Sequence, residues 1–323
     1  MSAWAIHFDM RAPSFGPSAP ELYRAALKMA AWADERGVAS ILVSEHHGEE
    51  DGYLPSPLVM AGAIAAVTSS TLISVNALVL TLRDPVAAAE DCLVLDNLSD
   101  GRLMINLVAG YVPSEFEMLG VEHADRAAIF EAKVEAFVVA LTGEPFSWER
   151  RTITVTPGPV QRPRPMVNLG GASKAGARRA ARLGDGFIVP VEADDLLEEY
   201  VAECGRLDKQ PGLTLSPSGP IFAHVADDVD AAWDAIGPHV LHELRAYGAM
   251  AVASGETNHP YVGLSDANAV RESGIVAVIT PEECIARARS GWTPLFKPLV
   301  GGLPPALGWS SLELFADRVL PHL

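Results

Sequence analysis

Short apolar runs alternate with amphipathic stretches along the chain. Residues 4–8, around Ile6 and Phe8, read as a first strand. A Pro/Ser-rich loop follows, and Pro20 opens a helix whose stripe is Leu22, Ala26, Met29 and Ala33, ended by Gly37. Residues 40–43 form a second apolar run. The next helix starts at Ser56-Pro57, with serine as cap and proline at the first helical position, and its Ala/Gly content permits close approach to a sheet. Residues 72–80 are almost continuously apolar, as expected of a strand buried on both faces. Asp84-Pro85 starts a third helix, and Asp100-Gly101 turns into a strand at 103–108. Residues 110–125 read as a loop before a helix at 126–141. The rhythm then breaks at 143–165, read as an inserted β-hairpin and loop. It resumes with strands at 166–169, 186–189 and 220–225 and helices at 173–183, 195–207 and 229–247. A second break, 248–274, is rich in Gly, Ser and Asn; loops of that length are usually functional or mobile. Thr280-Pro281-Glu282-Glu283 is a capping box, residues 295–300 a last strand, and 310–320 a closing helix.

Roughly eight βα units predict an α/β chain, a (β/α)8 barrel with insertions over 1–323 as one domain. A doubly wound open sheet is disfavoured because no Gly-x-Gly-x-x-Gly follows the first strand. In a barrel of this kind the site lies at the C-terminal ends of the strands, so the residues there become candidates.

Composition narrows the function classes. Against 24 Lys+Arg stand 41 Asp+Glu, a net charge of −17 with no basic stripe, which argues against nucleic acid and anionic membranes as partners. The longest apolar run, 57–67, is short of the ~18 residues a membrane span needs. Cys92, Cys204 and Cys284 are far apart and make no C-x-x-C pair, so neither a disulfide framework nor a zinc site is expected. Met1 leads directly into the first strand without a signal-peptide pattern, and a cytoplasmic protein is the expectation.

After strand two stand Glu45, His46 and His47. Imidazole is the commonest acid/base group near neutral pH, and a rim histidine bonded to backbone is the competing reading. Adjacent side chains on extended chain point opposite ways, so the three cannot all bind one metal. After strand three, Asn76-Ala77 interrupts a β-branched run; buried, that asparagine needs hydrogen bonds. After strand four come Gly110, which permits close backbone approach, and Tyr111. After strand five, Gly170-Gly171-Ala172-Ser173 opens a helix with small residues, leaving N–H groups that suit a phosphate. Arg178, Arg179 and Arg182 lie late in that helix and are not counted as phosphate ligands. His239-x-x-His242-Glu243 reads as a solvated helix face.

These landmarks, taken in order, resemble the bacterial-luciferase-like flavin-dependent oxidoreductases. The marks are Ser44-Glu45-His46-His47, Pro55-Ser56-Pro57-Leu58, the strand from Asn76 with Arg83-Asp84-Pro85, and Glu90-Asp91. Further on stand Leu95-Asp96-x-Leu98-Ser99-x-Gly101-Arg102, Gly110-Tyr111-x-Pro113-x-Glu115-Phe116, Pro159-x-Gln161-Arg162-Pro163 and Gly170-Gly171. The match is good to about residue 190 and looser beyond.

The resemblance implies a TIM barrel with insertions that binds reduced FMN, or in a large branch the deazaflavin F420, at the strand C-termini. It puts His46 in the place of the family's active-site histidine; Glu45 is then expected to support it, and His47 to be structural or to stand behind it. Asn76-Ala77 takes the place of a non-prolyl cis peptide against the flavin ring. Gly170, Gly171, Ala172 and Ser173 take the place of the phosphate turn, and 248–274 that of a mobile substrate lid. A homodimer is expected from the family alone. Three positions depart from specialised members: Ala109 stands where luciferase has an arginine, and Tyr111 and Glu45 where F420 sugar dehydrogenases have glutamate and aspartate.

The leading function is therefore a monooxygenase using reduced FMN from a separate reductase and O2 on a small organic substrate. An F420-dependent hydride-transfer enzyme is the alternative. A non-catalytic flavin-binding protein and a metal-dependent barrel hydrolase complete the set.

Overall fold

The computed structural model describes residues 3–189, 193–216 and 219–323. The chain divides into two compact units, Met1–Pro55 with Gly219–Leu323, and Ser56–Ser218. The first unit opens with β1 (Ala5–Phe8), α1 (Ala19–Asp34) and β2 (Ser40–Val43). β1 and β2 are parallel, in register from Ala5↔Ser40 to Phe8↔Val43. Ile6, Phe8, Ile41 and Val43 are buried, and so is the expected stripe of α1.

The second unit contains α2 (Pro57–Val67), β3 (Leu72–Val79), α3 (Pro85–Leu98), β4 (Leu103–Val108), α4 (Pro113–Leu119) and α5 (Arg126–Ala140). The hairpin β5 (Phe146–Trp148) and β6 (Arg151–Ile153) forms the expected antiparallel pair in its own small sheet. Then come β7 (Met166–Gly170), α6 (Lys174–Leu183), β8 (Gly186–Ile188), α7 (Asp194–Arg206) and β9 (Leu213–Leu215). Within this unit β3, β4, β7, β8 and β9 lie side by side, all parallel.

Several motif residues of this unit serve as scaffold. Asp84 caps α3 by accepting from the N–H groups of Val86 and Ala87. Asp96 accepts from the N–H of Val160 at 2.7 Å and from Gln161 Nε2 at 2.8 Å, tying α3 to the segment before β7. Arg102 donates to Thr68 Oγ1 and to the carbonyls of Ala65, Thr68, Thr71 and Ser99, and so closes the C-terminal end of α2. Removing it leaves carbonyls without their charged donor, at roughly 1–3 kcal/mol per lost group. Arg102→Ala is therefore expected to destabilise the chain by about 3 kcal/mol in urea unfolding; an unchanged midpoint would show that water replaces the guanidinium.

The chain returns to the first unit with β10 (Phe222–Val225), α8 (Val229–Ala253), α9 (Ala267–Ser273), β11 (Val276–Ile279), α10 (Pro281–Arg289), β12 (Leu295–Phe296) and α11 (Pro305–Arg318). The strand order within this unit is β11-β10-β12-β1-β2, again parallel. Phe222, Trp233, Ile236, Val240, Leu244 and Val278 form its core beside α8.

The expected elements need correction at five places. β9 and β11 are additional strands; each is a four-residue or shorter run beside turn-rich segments, too short to show a period. The segment 110–125 contains α4, started by Pro113 and closed by Gly120 at φ 69°. α8 continues to Ala253, into the segment read as irregular, and Asp266 caps α9 inside that same segment. The last strand stops at Phe296, before Lys297 and Pro298. Beyond it, Gly301 (φ +52°) passes so close to α8 that a Cβ would lie 2.0 Å from the carbonyl oxygen of His239.

Candidate functional site

In the first unit, polar groups gather where β1 and β2 end. β1 runs into Asp9 and Arg11, β2 into Ser44–His47, and the loop beyond β2 supplies Asp51 and Tyr53. α8 faces this end with His239, His242, Glu243 and Tyr247, and Lys297 follows β12.

His46 is buried, 8% exposed. Its ring meets Tyr53 edge-on at 4.9 Å and Tyr247 at 5.8 Å, and the two phenols share a hydrogen bond of 2.8 Å. The Arg11 guanidinium lies 4.6 Å from the Tyr53 ring centre and 5.3 Å from that of Tyr247, a range for cation–π attraction. Burial alone would lower Arg11, but Asp9, Tyr247 and Asp51 hold it above its ordinary value, so it stays charged. The imidazole is thus held on two sides by aromatic rings that a fixed cation organises.

The carboxylate of Glu45 is 2.8 Å from His47 Nε2. The two residues stand two apart, so on extended chain their side chains share a face. His7, on β1, bonds Ser44 Oγ at 2.5 Å. Burial, then the Lys297 charge, pushes it down to about 3, so it is neutral at physiological pH.

Lys297 is buried and paired with Asp9 Oδ2 at 2.8 Å and with Glu243 Oε1. Burial works against the ionised Asp9, yet the Lys297 ammonium holds it well below the usual carboxylate range. Burial pushes Glu243 up to about 8 against the pull of Lys297, and the Asp9 carboxylate adds to the rise. The reading of His239, His242 and Glu243 as a solvated face is corrected. His239 and Glu243 are buried, with His239 Nδ1 2.9 Å from the Gly301 carbonyl, and His242 is bonded to Asp51. A Pro at 238 hid the inward face of α8 from a periodicity argument. Asp9, Arg11, Tyr53, Tyr247 and Lys297 were missed altogether; the one available signal was that Asp9 and Arg11 follow a strand end.

In the second unit the Asn76–Ala77 peptide is cis, the geometry the resemblance implies, and the β3–β4 register shifts between Asn76 and Leu78. Asn76, Asn106 and Asn168 sit at one level of β3, β4 and β7. Asn168 Nδ2 donates to Asn106 Oδ1 (2.8 Å), and Asn106 Nδ2 to Ser74 Oγ (3.0 Å), a buried polar row. Gly110 (φ +76°) is demanded by packing: a Cβ would stand 2.7 Å from Val79 and 3.1 Å from Phe116. Tyr111 is half-buried, and its carbonyl accepts from His123 Nε2 at 3.2 Å.

Gly170 ends β7, and Gly171 turns so close to α6 that a Cβ would lie 3.4 Å from Gly176 Cα. Ser173 caps α6, its hydroxyl accepting from the Gly176 N–H at 3.1 Å. Ala172, Ser173, Lys174 and Ala175 are exposed, and among the described residues the N–H groups of Lys174 and Ala175 have no partner. Arg178 pairs with Glu199, and Arg179 and Arg182 pair with Glu131. Among the described residues no group of three or more His, Cys, Asp or Glu is placed to hold a metal ion, and no helix is long and apolar enough to cross a membrane.

The sequence profile of the luciferase-like monooxygenases matches residues 6–293. Protein y4vJ of Sinorhizobium fredii is 26% identical over 184 residues, 55% of this chain and 52% of that one, so the chain aligns with about half the length of this relative. Among solved structures, the monooxygenase RslO1 from Streptomyces bottropensis superposes with a TM-score of 0.76 at 25% identity, over 99% of both chains. The oxygenating constituent of 3,6-diketocamphane monooxygenase from Pseudomonas putida, in complex with FMN, gives 0.73 at 18% identity, over 99% of this chain and 98% of that one. An F420-dependent secondary alcohol dehydrogenase in complex with an F420–acetone adduct gives 0.65 at 16%, over 100% and 99%. The fold is the expected α/β one, luciferase-like and of the TIM-barrel kind. With its profile matched over most of the sequence, the chain belongs to the luciferase-like monooxygenase family.

Proposed function

We propose that this protein is a flavin-dependent monooxygenase that takes reduced FMN from a separate reductase and, with O2, oxygenates a small organic substrate. The observation that carries the cofactor half is the open start of α6. Small residues at 170–173 keep side chains away, the first-turn N–H groups of Lys174 and Ala175 are unengaged among the described residues, and the helix dipole adds positive potential. A flavin phosphate fits that donor set. Asn76, Ala77, Gly110 and Tyr111 are assigned to the ring, where the backbone of β3 and β4 departs from regular pairing. Bound reduced flavin supplies the redox chemistry; the chain binds, orients and shields it from water. His46 holds or releases the proton, its ring orientation set by Tyr53 and Tyr247, with Glu45 and His47 paired beside it in the sequence. Residues 248–274 would cover the substrate, which the family leaves undefined. A cytoplasmic location and a second copy of this chain as partner belong to the same reading.

An F420-dependent hydride-transfer enzyme is the second reading, favoured by the F420-bound neighbour of the same fold. Titrating the purified chain with FMN and with F420 separates the two: tight F420 binding without FMN binding would overturn the monooxygenase. The phosphate assignment has its own test. Lys174→Glu puts a carboxylate at the start of α6, which suits the helix dipole and leaves the thermal midpoint unchanged or slightly raised. The same charge repels a phosphate, so cofactor affinity is expected to fall about tenfold. An unaltered Kd would remove the phosphate from that turn.

A further inference from the structure

The outer face of α8 and the loop after β1 border an open groove of about 490 Å3, within the size of small-molecule sites. Phe15, Pro238, Leu241, His242, Arg245 and Ala246 line it. The α8 positions fall one turn apart, so they form a single helix face. Four of the six lining side chains are apolar, and Phe15 is 56% exposed along the trough.

His242 is held from behind. Its Nε2 is 2.8 Å from Asp51 Oδ2. The same carboxylate accepts from Arg11 Nη1 at 2.6 Å and, through Oδ1, from the Tyr53 N–H at 3.2 Å. Burial would raise Asp51, but the hydrogen bond from His242 and the charge of Arg11 hold it below its ordinary value. An ionised carboxylate can only accept, so in the neutral ring Nε2 carries the hydrogen and Nδ1 keeps its lone pair. Among the described residues Nδ1 has no hydrogen-bond partner. Phe15 stands edge-on to the imidazole at 5.5 Å and 81°. Arg245 is anchored at the other end by the carbonyls of Leu264 and Ser265. An apolar trough with one oriented acceptor, its Arg245 turned to the Leu264 and Ser265 carbonyls, suits a flat apolar molecule carrying one donor.

We propose that this groove is a second small-molecule site, taking an aromatic molecule with a hydroxyl group that donates to His242 Nδ1 while its rings lie between Phe15 and α8. It is separate from the flavin reading and does not need a cofactor.

The test is a fluorescence titration of the full chain, with and without FMN, at neutral pH, using naphthol and its methyl ether. The wild type is expected to bind naphthol about tenfold more tightly than the ether, which has no donor. His242→Phe is expected to bind both alike, at the weaker level. Ala246→Trp fills the trough and is expected to weaken both about tenfold or more. Equal binding of the two probes by the wild type overturns the proposal, as does discrimination that survives His242→Phe. Should His242→Phe not fold, binding unchanged in Ala246→Trp overturns it and binding lost there supports it. A chain that binds no flavin yet separates the two probes would end the flavin reading and keep this one.

Discussion

His46→Ala is expected to lower turnover by about a hundred- to ten-thousand-fold while cofactor titration still gives binding. The argument starts from packing. Ser40–Val43 is a buried parallel strand, so the residues just past Val43 are placed by β2. His46 is further fixed by its backbone N–H, which donates to the Leu54 carbonyl, and by the edges of Tyr53 and Tyr247. An acid/base group is useful in proportion to how well its orientation is fixed before the reaction. Alanine leaves a cavity beside the two tyrosines, costing about 1–2 kcal/mol of stability, so rates should be read well below the thermal midpoint. Turnover within a few-fold of wild type would make His46 a structural rim residue. Unchanged binding with no turnover in either protein would instead favour a non-catalytic flavin-binding chain.

What was legible beforehand follows from what a pattern can carry. The strand at 40–43 and its polar exit were visible because apolar runs and their ends are local properties. The cis Asn76–Ala77 pair was not visible from composition; only the collinear motifs pointed to it. Arg102 and Asp96 stood in the same motifs yet hold scaffold, which no spacing distinguishes from chemistry. The polar groups gathered at the ends of β1 and β2 were hidden for another reason. Tyr53 and Tyr247 are 194 residues apart, and Lys297 is 288 from Asp9. Nothing local marks such pairs. The inward face of α8 is hidden in the sequence because its Pro238 and its mixture of His, Glu and Leu imitate a wet surface, whereas His239 and Glu243 are turned in, Glu243 against the charged Lys297–Asp9 pair.

Those inward charges give the second large effect. Lys297→Met keeps the volume of the side chain but removes the ammonium that Asp9 and Glu243 share. Breaking a buried ion pair by deleting one partner leaves an uncompensated charge, and about 3–5 kcal/mol of stability is the expected loss in urea unfolding at neutral pH. Glu243→Gln should behave differently, because burial and Asp9 already keep Glu243 protonated up to about pH 8. With its folded value raised above the ordinary 4.5, the native state binds this proton more tightly than the unfolded chain. Its contribution is complete below pH 4.5 and is lost as the pH rises through about 8. Asp9 runs the other way: its stabilisation is present above its ordinary value of 3.8 and is lost in stronger acid. Glutamine carries a permanent donor in place of the titrating proton. The Glu243→Gln chain should therefore be closest to, or above, wild type in stability at alkaline pH, and relatively weakest below pH 4.5. Midpoints measured across that range check the sign. A difference between the two proteins that does not change with pH would mean that folding leaves the proton affinity of Glu243 unaltered. A Lys297→Met loss below about 1 kcal/mol would place the pair among solvent-screened surface contacts, where its burial says it does not belong.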